Sequence, residues 1–235
     1  VNSRTQRLCA WSTPVFLLLF LIGILILARF VPPPSPNLSA DELAQIFNEN
    51  RNGIRLGCLV AMLGTGLLGP FIAVISVQLK RVEGEHSPLA YAQLVLGAYL
   101  IIVIIGPLTN LEAAAFRAER APELIQLVSD QAWLLFVGGF YPLVAQLTVI
   151  GVAILRDNSP EPVFPRSLAY INFWCAIGSA PAAGINFLKG GPLAWDGIMS
   201  WWIPVTAFTV WVSAMFVYLL KAITHQERAG SIVTA

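Results

Sequence analysis

Six stretches of the chain contain no Asp, Glu, Lys, Arg or His: residues 8–28, 56–79, 87–111, 131–155, 167–188 and 197–220. Each is 21 to 25 residues long, and a helix of about 20 apolar residues crosses the hydrocarbon of a bilayer. In that medium every backbone N–H and C=O must be paired within the protein, which leaves helices and closed barrels as spanning structures. Barrel strands alternate apolar and polar residues over about 10 positions. The run "VFLLLFLIGILIL" at 15–27 does not alternate. The pattern therefore predicts an all-α integral membrane bundle. Six transmembrane helices, at about 10–30, 56–79, 88–110, 131–155, 167–187 and 198–220, form one domain over residues 1–235.

Composition supports this reading. The chain is 57% hydrophobic and 11% charged, against about 25% charged residues in soluble domains. A net charge of +1 and the lack of a basic run give no reason to expect a nucleic-acid partner. Arg4 and Arg7 before an apolar run suggest a signal peptide. That run is longer than the roughly 7–15 residues of a signal core, and the following "ARFVPPPSP" lacks a small-x-small cleavage site. The segment is expected to be a retained first span.

Orientation follows from Lys and Arg near the span ends. With the N-terminus inside, the inner segments hold eight: Arg4, Arg7, Lys80, Arg81, Arg156, Arg166, Lys221 and Arg228. The outer segments hold six: Arg29, Arg51, Arg55, Arg117, Arg120 and Lys189. The bias favours both termini in the cytoplasm of a multi-pass cell-membrane protein.

Two outer connections are predicted to carry short interfacial helices. In "LSADELAQIFNENRNGIRLG", Ser39 and Glu42 make a capping box. Leu43, Ile46, Phe47 and Ile54 share a face that either lies on the bilayer or packs over the bundle mouth. In the second connection Pro122 starts a helix at its first turn, with Leu124, Ile125, Leu127 and Val128 as the apolar side. On the inner side, three prolines make "RDNSPEPVFPRS" a rigid turn.

Small residues four apart occur in spans two and five: Ala61, Thr65 and Gly69, and then Ala176, Ala180 and Gly184, with Cys175, Ser179 and Ala183 alongside. Such faces let helix backbones approach closely, so these two spans are expected in the bundle centre. Pro70, Pro107, Pro142, Pro181 and Pro204 lie within or at the ends of spans and mark candidate kinks. The three cysteines read as small buried hydrophobes.

The strongest functional inference is negative. Ionisable residues inside a membrane mark proton relays, voltage sensors and ion paths, and the six runs have none. His86 and His225 lie outside the runs, which argues against a haem held by paired histidines. No zinc-protease, phosphate-binding or nucleophile-elbow motif occurs, and no cofactor or metal is expected. Polarity within the spans comes from side chains such as Gln78, Gln93, Gln146, Thr148 and Asn172. They suit either interhelical hydrogen bonds or contacts that orient an apolar ligand.

Charge is concentrated instead in "TNLEAAAFRAERAPELIQLVSDQAW" at 109–133 and in the nearby "NENRNGIR". Glu112, Arg117, Arg120, Asp130, Arg51 and Arg55 are the candidate ligand-binding residues. Arg117 and Arg120, three apart, share a face if helical. Three readings stay open: solvated loop charges, an arginine clamp for an anionic head group, or an acid–base pair of Glu112 and Asp130. The function expected is that of a non-enzymatic binder or scaffold for an apolar or anionic amphipathic small molecule, a membrane lipid or a partner membrane protein. The alternatives are a small-molecule transporter and a membrane-surface enzyme. No convincing inverted repeat supports the transporter.

The segments "PVFPRSLAYINFW", "FLKGGPLAWDGI" and "WWIP", with "NRNGIRLG", "AFRAERAPELIQLVSDQAW" and "IGVAILRD", resemble a family of uncharacterised polytopic membrane proteins of actinobacteria over about residues 38 to 222. That resemblance implies six spans and a bacterial inner-membrane location, and brings no activity or site residue with it.

Overall fold

The computed structural model describes residues 2–233, with side chains from 2 to 229. It is all-helical, with no strand among the described residues. Six helices are long and apolar enough to cross a membrane: Ser3–Leu27, Arg51–Glu83, Pro88–Phe116, Pro122–Leu155, Arg166–Asn186 and Gly191–Ala229. This is the architecture of a multi-pass membrane protein.

The elements are α1 (Ser3–Leu21, continued by a π-helical turn Ile22–Leu27), α2 (Ala40–Glu49), α3 (Arg51–Gly66), α4 (Leu68–Glu83), α5 (Pro88–Phe116), α6 (Pro122–Gly138), α7 (Tyr141–Leu155), α8 (Arg166–Ser179, continued by a 3-10 turn Ala180–Asn186) and α9 (Ile203–Val233), which follows a short π-helical turn Ile198–Trp202. Spans two and four are each made of two helices, α3–α4 and α6–α7. The cause is the same in both. Pro70 and Pro142 have no N–H to donate to the carbonyls of Gly66 and Gly138 four residues earlier, where α3 and α6 end. The Ser12 hydroxyl donates to the Leu67 carbonyl at this break, at 2.8 Å. Pro107 lies inside the unbroken α5, Pro181 opens the 3-10 turn after α8, and Pro204 sits in the first turn of α9.

The spans follow one another around the bundle, and α9 closes back onto α1. The central element is α4, which meets α1, α5, α7 and α9. The expected central pair therefore changes. Half of the most apolar window of spans two and four is buried. Span five packs mainly on α7 and α9 and leaves Tyr170, Trp174 and Ile177 exposed. The small-residue seam also moves. A Cβ on Gly57 would stand 2.4 Å from the Gly23 carbonyl, and one on Gly64 would stand 2.9 Å from Leu19, so Gly57, Ala61 and Gly64 form the close face toward span one. Gly69 has nothing within 4 Å.

The two connections read as carrying interfacial helices differ from expectation in different ways. α2 begins with the full capping box: the Glu42 N–H donates to Ser39 Oγ, and the Ser39 N–H donates to Glu42 Oε2 at 2.8 Å. These Ser39 bonds hold the Glu42 carboxyl below its usual range. Its apolar side of Leu43, Ala44 and Phe47 packs on α6, while Ile54 belongs to the next helix, α3. The helix begun by Pro122 is not a separate element. It runs unbroken through Asp130 into span four, and Leu124 and Leu127 are exposed while Ile125, Ser129 and Trp133 are buried.

Candidate functional site

The start of α1 and the later turns of α9 meet at one end of the bundle, the terminal end, where Arg7 pairs with Glu227. This end also receives the 80–87 and 156–165 connections. The predicted site residues lie at the opposite end.

There, α5 stops at Phe116. Arg117 is extended (φ −113°, ψ 125°), so Arg117 and Arg120 do not share a helical face. Arg120 turns back and donates to the Ala113 carbonyl at 2.6 Å, satisfying one of the orphan acceptors of the α5 terminus. Arg117 stands 3.8 Å from Glu119. Arg51 donates to Asn48 at 3.3 Å. Only Arg55 and Arg117 converge: their guanidinium carbons lie 5.2 and 5.9 Å from the Phe116 ring centroid. The charge of Lys189 acts on Asp130, and Glu112 lies close enough to act on the Cys58 thiol. No hydrogen bond or ion pair joins Glu112 to Asp130. The six residues thus share an end of the molecule without sharing a pocket.

Several polar side chains inside the spans bond across helices. The Gln146 amide donates to Gln93 Oε1 at 3.0 Å, the Gln93 amide donates to the Ile72 carbonyl at 2.9 Å and to Ser76 Oγ, and Ser76 Oγ donates to the Ala90 carbonyl at 2.9 Å. This chain stitches α7, α5 and α4 together. A Cβ on Gly97 would stand 2.8 Å from the Gln146 amide, so only glycine leaves room for it. The Trp211 indole donates to Asn172 Oδ1 at 2.9 Å, and Asn172 donates to the Leu168 carbonyl at 2.8 Å. Buried side-chain atoms left without a partner include Gln146 Oε1, Ser129 Oγ and the Trp133 and Trp201 indole nitrogens. The two tryptophans pack edge to face, 5.9 Å between centroids, beside Phe136.

The terminal end is the feature sequence reasoning missed. Arg7 Nη2 donates to Glu227 Oε2 at 2.6 Å and to Thr224 Oγ1 at 3.0 Å. Gln78 donates to Gln6 Oε1 at 2.6 Å and to Gln226 Oε1 at 3.2 Å, and Arg81 donates to Gln78 Oε1 at 2.6 Å. Asp157 is buried in the loop after α7. Its carboxylate accepts from Ser159 N–H and Oγ (3.1 and 2.6 Å) and from the Val163 N–H (2.8 Å). Burial alone raises the Asp157 pKa; those hydrogen bonds, with the charge of Arg81, hold it below the usual carboxylate range. One signal was available. Spans one, two and six are flanked at this end by Gln6 and Arg7, Gln78 and Arg81, and Gln226 and Glu227.

Among the described residues, no group of three or more His, Cys, Asp or Glu converges in a way that holds a metal ion. Comparison with protein families, curated proteins and solved structures finds no match to this chain.

Proposed function

We propose that this protein is a non-enzymatic membrane protein that binds an amphipathic molecule at the edge of its bundle. One observation carries the reading. The spans are uncharged over their apolar runs and use Gln93, Gln146, Asn172 and Trp211 for helix-to-helix bonds, whereas the grooves at the terminal end combine cationic and apolar walls. A ligand with one polar and one apolar part matches such a surface. The opposite end offers one exposed ion pair and local caps, which suits solvated charges better than a clamp or an acid–base pair. Native mass spectrometry of the full chain from several mild detergents tests the reading. A reproducibly retained lipid, small amphiphile or partner protein is expected; a bare polypeptide in every detergent overturns it.

We further infer a cell-membrane location with both termini cytoplasmic, from the eight Lys and Arg of the terminal end against six at the other. A reporter fused to the C-terminus that is active only in the cytoplasm is expected to work, and its silence reverses the orientation.

A transport reading has one observation in its favour. Spans two and four are both interrupted, and discontinuous helices present backbone groups to substrates in transporters. Uptake of a solute into vesicles containing only this protein distinguishes that reading from binding.

A further inference from the structure

Two adjoining grooves lie on α9 between Tyr218 and Arg228. The first, about 380 Å³, is walled by Leu220, Lys221, Thr224, His225 and Arg228. The second, about 260 Å³, runs between α9 and the 156–165 loop. Pro162, Val163 and Pro165 line it on one side, Tyr218 and Ala222 on the other, and it shares Lys221 and His225 with the first. Volumes of this size are at or just below those of small-molecule sites, about 300–1,000 Å³.

The position of the cations is set by the sequence. Lys221, His225 and Arg228 are spaced four and three apart, which puts them on one face of α9. Lys221 is the first charge after the apolar run 197–220, so it marks the level where hydrocarbon gives way to head groups. α9 has 31 residues, a length of about 46 Å at 1.5 Å per residue, against about 30 Å of hydrocarbon. The turn that carries Lys221 therefore stands at the lipid–water boundary, and α9 continues beyond it. The Lys221 ammonium lies 5.0 Å from the Tyr218 ring centroid, and Tyr is an interfacial residue by chemistry.

Three acids of this end are bonded elsewhere. Glu227 is paired with Arg7, Asp157 is bonded inside its own loop, and Glu83 accepts from the Leu89 and Ala90 N–H groups at the start of α5. Glu161 does reach the groove, 3.3 Å from His225 Nε2.

We propose that this groove binds the head group of an anionic phospholipid. The phosphate sits against Lys221, His225 and Arg228, and the first acyl carbons lie along Tyr218, Leu220 and Val163. The assignment rests on the amphiphile-binding reading above and names its ligand class. Each Lys or Arg near an anionic lipid surface strengthens binding about fivefold.

Purified full-length protein, incubated with phosphatidylglycerol or phosphatidylcholine of equal chain length and examined by native mass spectrometry, tests the site. The protein is expected to retain phosphatidylglycerol roughly tenfold better, and K221Q/R228Q to bring the two lipids to parity. Glu161→Gln removes the opposing charge and is expected to increase the preference. Circular dichroism confirms that each variant is folded, with K221Q alone as the milder probe. Equal retention of the two lipids by wild type, or an undiminished preference in K221Q/R228Q, overturns the site. Charge-dependent binding of inorganic phosphate without a lipid preference also overturns the lipid assignment. Equal retention of both lipids leaves the broader binding reading standing, whereas retention of neither ends both.

Discussion

At the terminal end of the bundle eight basic side chains meet five acidic ones; at the opposite end six meet eight. The numbers are similar and the arrangements are not. At the terminal end, Gln6, Arg7, Gln78, Gln226 and Glu227 bond across three spans that are distant in sequence, and Arg81 adds a bond to the Ala222 carbonyl at 3.5 Å. At the opposite end the bonds of Arg51, Arg117 and Arg120 are to residues no more than seven positions away. Charges that join different helices fix how those helices sit. Charges that pair locally cap a helix or a turn and leave the bundle to packing. Function is more readily built on the first kind, because its side chains are already held in place.

This contrast can be broken, and the largest effect is expected in the 156–165 loop. Asp157→Ala removes the buried carboxylate that holds Ser159 and Val163 and should cost about 2 kcal/mol, read by thermal unfolding in detergent. The wild-type protein should show the matching pH dependence. The folded carboxyl titrates below the unfolded value of about 3.9, so its stabilisation is complete above that pH and fades as pH falls through the folded pKa. Asp157→Ala should flatten that part of the profile. A smaller drop is expected for Glu227→Gln, and a double-mutant cycle with Arg7→Gln should return a favourable coupling between spans one and six. Non-interacting single mutants would remove the claim that this end is interlocked.

At the opposite end the expected changes shrink. Arg120→Ala loses one cap on α5 and should cost about 0.5–1 kcal/mol. Glu112→Gln and Asp130→Asn should each move stability by no more than about 0.5 kcal/mol and combine additively. Strong coupling between those two carboxylates would revive the acid–base reading.

The membrane architecture was legible because its cause is one-dimensional. Six uncharged runs of bilayer length leave a chain few alternatives, and the Ser39 capping box is a local pattern read from four residues. The helix break at Pro142 was visible as a candidate for the same reason. The extent of span four was not. Asp130 and Ser129 read as a wet boundary, yet the helix from Pro122 continues through them because Ile125, Ser129 and Trp133 share a face that packs inward. The central helix pair was misread because small residues at four-residue spacing occur on faces that pack and faces that do not. Gly57 touches the Gly23 backbone while Gly69 touches nothing. The knot at the terminal end lay beyond the sequence for a different reason. Its partners lie as many as 220 positions apart, as in Arg7 and Glu227, and only the closure of span six onto span one brings them together.

The central claim is that recognition belongs to the terminal end. The most direct measurement is the rise in unfolding temperature when phosphatidylglycerol is added to three proteins: wild type, K221Q/R228Q, and R51Q/R55Q/R117Q/R120Q. A ligand that binds the folded state raises that temperature. The account predicts an equal rise for wild type and the quadruple variant, and little or none for K221Q/R228Q. A rise lost in the quadruple variant and kept in K221Q/R228Q would contradict it and move the site to the opposite end.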